Sequence, residues 1–321
     1  MAADAKPRVS VIIRCFNEER HIGTLLDRLS RQTLTDHEVV VVDSGSSDGT
    51  LSVVRRFPVA LVQISPEDFT FGYSLNRGCE RASGEFLVMA SAHVVPCSDR
   101  WLEHLIAPFA DPAVALVYGR QQGDTTSKFS EQQLFAKQYP AESNFDQHTP
   151  FCNNANAAIR RALWVDHAYD ESLSGLEDLA WAKHMVERGH RIAYSAEAAV
   201  AHIHEESPGQ IRRRYMREAL ALKRIFPDSH VTFGEFVSLL FSSVGMDLLA
   251  ALRQRQPIRR LFEILMFRTM QYWGTYRGMN YRSPLTHELI MQFYYPGPVK
   301  RLRSAAMQGM PLAHRYDPTR R

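Results

Sequence analysis

The chain has 321 residues, 45% of them hydrophobic and 23% charged, with a formal net charge of +3. That balance excludes a disordered, collagen-like or disulfide-scaffold chain, and the length suits about two domains or one α/β domain with an appended piece. The charge is uneven: residues 1–207 carry a net −9 and residues 208–321 a net +12, so a basic segment follows an acidic body and points to an anionic partner.

Val9 to Ile13 is a short apolar, β-branched run and predicts a buried strand. Between Glu18 and Gln32, Ile22, Leu25, Leu26 and Leu29 recur at helical spacing. Glu38 to Asp43 predicts a second strand, followed by the turn-rich Ser44 to Gly49. Helices are predicted at Thr50 to Phe57, Tyr73 to Ser83 and Trp101 to Phe109. Strands are predicted at Val59 to Ile64, Phe86 to Ala90 and Val114 to Gly119. This alternation argues for a parallel sheet with helices on both faces.

Residues 120–150 are polar and aperiodic and predict a long surface loop or lid. A second α/β stretch follows over 153–206, with a helix near Asp178–Arg188 and a strand near Arg191–Tyr194. Pro208-Gly209 breaks the chain, and a mostly helical, basic segment runs to about Tyr295. The expected organisation is a domain over 1–207 with halves at 8–119 and 120–207, a helical extension over 208–295, and a loose tail over 296–321.

Cys15, Cys79, Cys97 and Cys152 are far apart and form no Cys-x-x-Cys pair, which predicts reduced thiols in a cytosolic protein. The first ten residues have no apolar core of a signal peptide. The best apolar stretch, Phe236 to Met246, lies between Glu235 and Asp247 and is expected to be too short to span a bilayer. Arg212, Arg213, Arg214 and Arg217 cluster at the start of one predicted helix. Arg253, Arg255, Arg259 and Arg260 precede an apolar helix over Leu261 to Trp273. Basic residues beside such a helix fit a peripheral contact with an anionic bilayer. Packing on protein, with the arginines solvated, is the competing expectation.

Five segments carry candidate chemistry. Arg14-Cys-Phe-Asn-Glu18 and Asp43-Ser-Gly-Ser-Ser-Asp48-Gly-Thr50 follow predicted strands, where open α/β sheets bind ligands. Ser, Asp and Gly there also suit ordinary turns and helix caps. Gly84 to His93 runs an apolar strand into Ser91-Ala-His93. Glu177-Asp178 pairs two carboxylates at a predicted helix start, either capping the helix or acting as a base and its neighbour. His202-Ile-His204 places two imidazoles on one face of an extended segment, which suits a metal as well as it suits no ligand.

The order of these motifs, VDSGSSDGT followed at this distance by GLED, resembles the family-2 glycosyltransferases over roughly residues 8–207. FTFGYSLNRGCERASGE, Tyr118-Gly-Arg-Gln121 and Phe151-Cys-Asn-Asn-Ala-Asn156 resemble the bacterial transferases of surface polysaccharides and glycolipids. The resemblance implies an α/β class of GT-A fold, a Rossmann-like sheet with a C-terminal, mostly helical extension. It implies inverting transfer of a sugar, hexose or deoxyhexose, from a nucleotide-diphosphate donor to a glycan or lipid-linked acceptor. Arg14, Phe16 and Glu18 would border the nucleotide, Asp43 would contact base or ribose, and Asp48 would help close the pocket. Asn76 and Arg77 would flank the nucleotide. Asp178 would be the base, with Glu177 positioning it or the acceptor.

The family's usual Asp-x-Asp metal motif is replaced by Ser91 and His93. Serine is a poor ligand for a hard divalent ion, whereas histidine suits Mn²⁺ better than Mg²⁺. The similar Asp-x-His pattern of polypeptide N-acetylgalactosaminyltransferases implies a cation, Mn²⁺ or Mg²⁺, held by His93 and His202, with His204 as the alternative. A metal-free mode would instead use Arg and His⁺ to neutralise the leaving group. A catalytically impaired sugar-nucleotide-binding scaffold is the main rival, and Glu177-Asp178 argues against it. A nucleotidyltransferase would want a Gly-rich loop where RCFNEE stands. No motif for nucleic acid accompanies the basic tail. The expected location is cytoplasmic, peripheral on the inner face of the plasma membrane.

Overall fold

The computed structural model describes residues 6–283 and 287–295; the expected loose tail at 296–321 lies outside them. In chain order the elements begin β1 (Val9–Cys15), α1 (Ile22–Ser30), β2 (His37–Asp43), α2 (Thr50–Val54), β3 (Ala60–Gln63) and α3 (Phe71–Arg81). Next come β4 (Phe86–Ser91), β5 (Val94–Pro96), α4 (Trp101–Ile106), β6 (Val114–Gln122), α5 (Phe129–Gln138) and β7 (Asn144–Gln147). Then follow β8 (Asn156–Arg160), α6 (Arg161–Asp166), α7 (Glu177–Glu187) and β9 (Arg191–His202). The helical segment comprises α8 (Pro208–Ile225), α9 (Phe233–Arg253), α10 (Arg259–Met279) and α11 (His287–Tyr294).

The sheet runs β3-β2-β1-β4-β8-β6-β9-β5, with β7 also paired to β9. Apolar runs such as Val9 to Ile13 arise because the sheet is buried on both faces. Val9, Val11 and Ile13 enter one layer of core, with α1 and α4 residues, and Ile12 enters the other. The register sets Cys15 opposite Asp43 and Arg14 opposite Ser91. The carboxyl ends of β1, β2 and β4 therefore lie level, and the polar loops that follow them share one rim.

Two expectations need correction. The sheet is mixed, because β8 is antiparallel to both β4 and β6. A strand's own apolar pattern does not encode its direction; the connection does, and here the chain leaves β6 and re-enters as β8 at the same end of the sheet. Residues 120–150 are not merely a loop, since α5 and β7 form there. The buried face of α5 mixes Phe129 and Phe135 with Ser130 and Glu131. Glu131 is buried against His204 and Arg214, so the helix lacks an apolar stripe.

The helical segment folds back on the sheet domain. Capping boxes, Ser207 with Gln210 and Thr232 with Glu235, start α8 and α9. A Cβ on Gly274 would stand 2.4 Å from the Arg212 carbonyl oxygen, and one on Gly278 2.5 Å from that of Met216. Those two glycines let α8 and α10 pack backbone to backbone. The Glu263 carboxylate of α10 accepts from the Phe129 amide at 2.8 Å. Arg268 makes a buried two-pronged pair with Asp247, at 2.7 and 2.9 Å, joining α10 to α9.

α9 also corrects the expectation that this stretch is too short to span a bilayer. At 21 residues it is long and apolar enough by length and composition, at roughly 31 Å. Only 22% of its apolar window is buried. Phe241, Met246, Leu249 and Leu252 of α9 are exposed, as are Phe262 and Leu265 of α10 and the adjoining Ile258.

Candidate active site

The loops after β1 and β2 are clasped into one unit. The Ser47 amide donates to Asn17 Oδ1 at 2.8 Å, and the Asn17 amide to Ser46 Oγ at 2.9 Å. The Glu18 amide donates to Thr50 Oγ1 at 2.7 Å, and the Gly49 amide to Glu19 Oε2 at 3.0 Å. Asn17 takes φ 55° to make this turn, a left-handed conformation that Asn tolerates better than most residues. These loops, the ends of β4 and β9, the start of α7 and one face of α8 surround a cavity of about 790 Å³. It is lined by Arg14, Glu18, Asp48, Ser91, His93, Glu177, Asp178, His202 and His204, all expected site residues.

Four expected residues do not line it. Asp43 is fully buried and organises the turn, accepting from the Gly45 and Ser46 amides at 3.1 Å and from the Ser46 hydroxyl. Phe16 packs edge-on against Tyr295, with ring centroids 4.6 Å apart. Asn76 faces the body from α3. Its amide nitrogen donates to the Tyr169 carbonyl and to Glu171, both at 2.9 Å. Its oxygen accepts from Trp164 Nε1 at 3.0 Å and from the Tyr169 amide at 3.1 Å. With its hydrogen-bonding capacity spent in this way, Asn76 is structural. Arg77 pairs with Glu80 and approaches Glu171 at 3.9 Å.

Three imidazoles gather at one end of the cavity. One nitrogen from each of His93, His202 and His204 lies within 4.8 Å of the others. Each Nδ1 is 2.7 Å from an acceptor oxygen: Glu18 Oε1 for His93, Gln121 Oε1 for His202 and Glu131 Oε1 for His204. An Nδ1–H donated to those oxygens leaves the Nε2 lone pair of each ring available, the tautomer that oxygen-backed histidine ligands adopt. Burial holds His202 well below the ordinary imidazole range, and its Nε2 is buried without a hydrogen-bond partner. This donor set fits a divalent cation.

The acids stand at the start of α7, after Leu176 in the left-handed conformation at φ 56°. Glu177 Oε1 is 3.7 Å from Arg14 Nη1. Asp178 Oδ2 accepts from the Asn154 amide at 2.7 Å. Burial, and then the neighbouring Glu177 carboxylate, push the Asp178 carboxyl up to about 7. Such a group is poised to take a proton near neutral pH.

The sequence motifs leave out Asn154, which orients Asp178, and the reach of α8 into the cavity. The sequence signal for Asn154 was the Asn-Asn-Ala-Asn run, which carried no specific role. Arg214 and Arg217, expected on a basic surface, line the cavity instead. Arg214 donates to Glu206 at 2.9 Å and to Glu131 at 2.9 Å. Helical spacing from Gln210 would have put both arginines on its face, but the direction of that face depends on how α8 docks.

The family profile "Glycosyl transferase family 2" matches residues 10–165. The O-antigen chain rhamnosyltransferase RfbN of Salmonella typhimurium is 24% identical over 220 residues, 65% of this chain and 70% of its own length. The O-antigen chain rhamnosyltransferase WbaN of Salmonella anatum is 29% identical over 204 residues, 58% of this chain and 62% of its own. In structure, the mannosyltransferase PcManGT from Pyrobaculum calidifontis, in complex with GDP-Man and Mn²⁺, superposes with a TM-score of 0.57 at 20% identity. That likeness covers 91% of this chain and 88% of the other, and it speaks for the fold. Nothing in these similarities supports the alternative of a catalytically impaired binding protein. In motif order, in the profile match over residues 10–165 and in these relatives, the chain is similar to the glycosyltransferases of family 2, and its fold is that of the GT-A transferases.

Proposed function

We propose that the enzyme moves a sugar from a nucleoside-diphosphate donor to an acceptor hydroxyl with inversion at the anomeric carbon. The observation that carries this reading is Asp178, a buried carboxyl raised to about 7 that lines the cavity beside Glu177. Its carboxylate takes the acceptor's hydroxyl proton. The oxygen attacks the anomeric carbon from the face opposite the leaving group. The bond from that carbon to the diphosphate oxygen breaks, and its electron pair leaves with the diphosphate. A positioned base contributes roughly 10²–10⁴-fold, and holding both substrates in line contributes further. The Asn154 amide fixes the orientation of Asp178, and Asp48 and Glu18 border the donor from the clasped loops.

His93, His202 and His204 would hold a divalent cation. When bound, such an ion supplies positive charge to the developing diphosphate. Glu18, Gln121 and Glu131 hold the three rings in orientation. Mn²⁺ is the first ion to test, because PcManGT was captured with it and imidazole suits it better than Mg²⁺. A nucleotide-linked rhamnose is the first donor to test, since RfbN and WbaN are named rhamnosyltransferases. Their O-antigen role supports surface polysaccharide synthesis on a glycan or lipid-linked acceptor. The exposed apolar face of α9 and α10, flanked by Arg253, Arg255 and Arg259, supports peripheral attachment to an anionic membrane.

The deciding experiment is transfer and donor binding by wild type and Asp178→Asn. Loss of transfer with donor affinity kept within a few-fold is expected. Turnover within tenfold of wild type would remove Asp178 as base. Full activity in excess chelator would remove the cation.

A further inference from the structure

Arg14 and Arg217 come from distant parts of the chain, β1 and α8, and meet on one aromatic ring. Each guanidinium carbon lies 4.5 Å from the centroid of Phe71, so the two charges are at most twice that distance apart. Both side chains line the cavity. Nη1 of Arg14 and Nε of Arg217 are buried without a hydrogen-bond partner. The nearest carboxylate of Arg14, on Glu177, stands 3.7 Å away, beyond hydrogen-bond reach. Among the described residues, the Arg217 guanidinium makes no ion pair. Arg214, one turn earlier on α8, is by contrast bound to two carboxylates.

Unpaired buried donors are costly, and a guanidinium does not shed its proton to escape that cost. Its planar fork matches phosphoryl oxygens. Phe71 holds the two groups by cation–π contact, leaving their N–H edges for a ligand. Arg217 is also tied to the loop that leads into the acid pair. The Ser174 hydroxyl donates to its carbonyl at 3.3 Å, and its Nε would lie 3.5 Å from a Cβ on Gly175.

We propose that Arg14 and Arg217 form a phosphoryl-binding subsite beside Asp178, separate from the imidazole cluster. This rests on the transferase reading above and narrows its substrates. Two of them supply such chemistry: the donor diphosphate, and an acceptor that carries a phosphate or diphosphate near the attacked hydroxyl.

The test is titration of the full chain with inorganic pyrophosphate in excess chelator, at constant ionic strength, where the imidazoles hold no cation. Wild type is expected to bind, Arg217→Gln to lose at least tenfold in affinity, and Arg217→Lys to fall between. Thermal unfolding checks that each variant is folded, and Arg14→Gln provides a second variant with the same expected loss. Arg253→Gln, on the exposed end of α9, should bind like wild type. No binding by wild type, equal affinity in Arg217→Gln, or an equal loss in Arg253→Gln overturns the subsite. Parallel titrations with UDP, GDP and dTDP, and with a soluble glycosyl diphosphate, separate the sources. A loss confined to the nucleotides assigns the subsite to the donor; a loss confined to the glycosyl diphosphate assigns it to the acceptor. Loss for neither ligand class overturns it. Because these readouts need no turnover, failure of Asp178 as base leaves them independent.

Discussion

The sheet domain and the α9–α10 pair are both rich in apolar residues and use them in opposite ways. In the sheet, Ile12, Ile13, Leu87 and Met89 are fully enclosed between two helical layers. In the helical pair, Phe241 and Phe262 remain 70% and 75% exposed, and a buried ion pair, Arg268 with Asp247, joins the helices. Burial of apolar area holds the first region; the second commits charge to its interior and shows its apolar side outward. Apolar content alone therefore does not mark a core. The candidate site lies at the seam, with Asp178 on the sheet domain and Arg217 supplied from α8.

The largest expected effect tests whether chemistry belongs to the first region alone. Asp178→Asn should lower kcat by about 10²–10⁴-fold while liposome sedimentation stays at the wild-type level. A parallel loss of sedimentation would mean that the two regions are coupled. Next in size is the ion pair. Asp247→Ala strands Arg268 in a buried position and should cost about 3–5 kcal/mol, read as a lower urea midpoint. A change under about 1 kcal/mol would show that the helices are held by apolar packing after all.

The pH dependence sharpens the catalytic half. With Asp178 raised to about 7, kcat/KM should fall below pH 7 as the base is protonated, approaching tenfold per unit. The same group affects stability. A carboxyl whose folded value lies above its ordinary 3.8 opposes folding increasingly as pH rises from about 4 through 7. Asp178→Asn should therefore raise the melting temperature at pH 8 and leave it nearly unchanged at pH 4. The smallest effect on stability is expected at the exposed face. Phe241→Ser with Phe262→Ser should change stability by about 0.5 kcal/mol or less per site and abolish sedimentation with anionic liposomes at low salt. Undiminished sedimentation would remove this face as the membrane contact.

Much of the sheet domain could be read directly. Val9 to Ile13, Glu38 to Asp43 and Phe86 to Ala90 are strands within a residue or two of their expected bounds. Their runs are apolar because both sheet faces are covered. The shared cavity of the candidate site was legible too, since polar residues placed after such strands must emerge at one edge. Arg14, Ser91 and His93 meet there because the register levels the strand ends. Helix faces were harder. Asn76 was expected at the nucleotide, yet on α3 it turns inward to Trp164 and Tyr169.

What the sequence determined by itself was local: strand runs, turn chemistry, the acid pair at a helix start, and imidazoles two residues apart. Each depends on neighbours within a few positions, where periodicity and capping operate. The tertiary structure decided direction and partnership. It set β8 antiparallel, buried Glu131 against His204 and Arg214, and turned Arg217 of a basic helix onto Phe71. Those outcomes depend on contacts between residues tens to hundreds of positions apart. A charged residue reads alike in the sequence whether it faces water or a substrate, and only the packing of its helix separates the two.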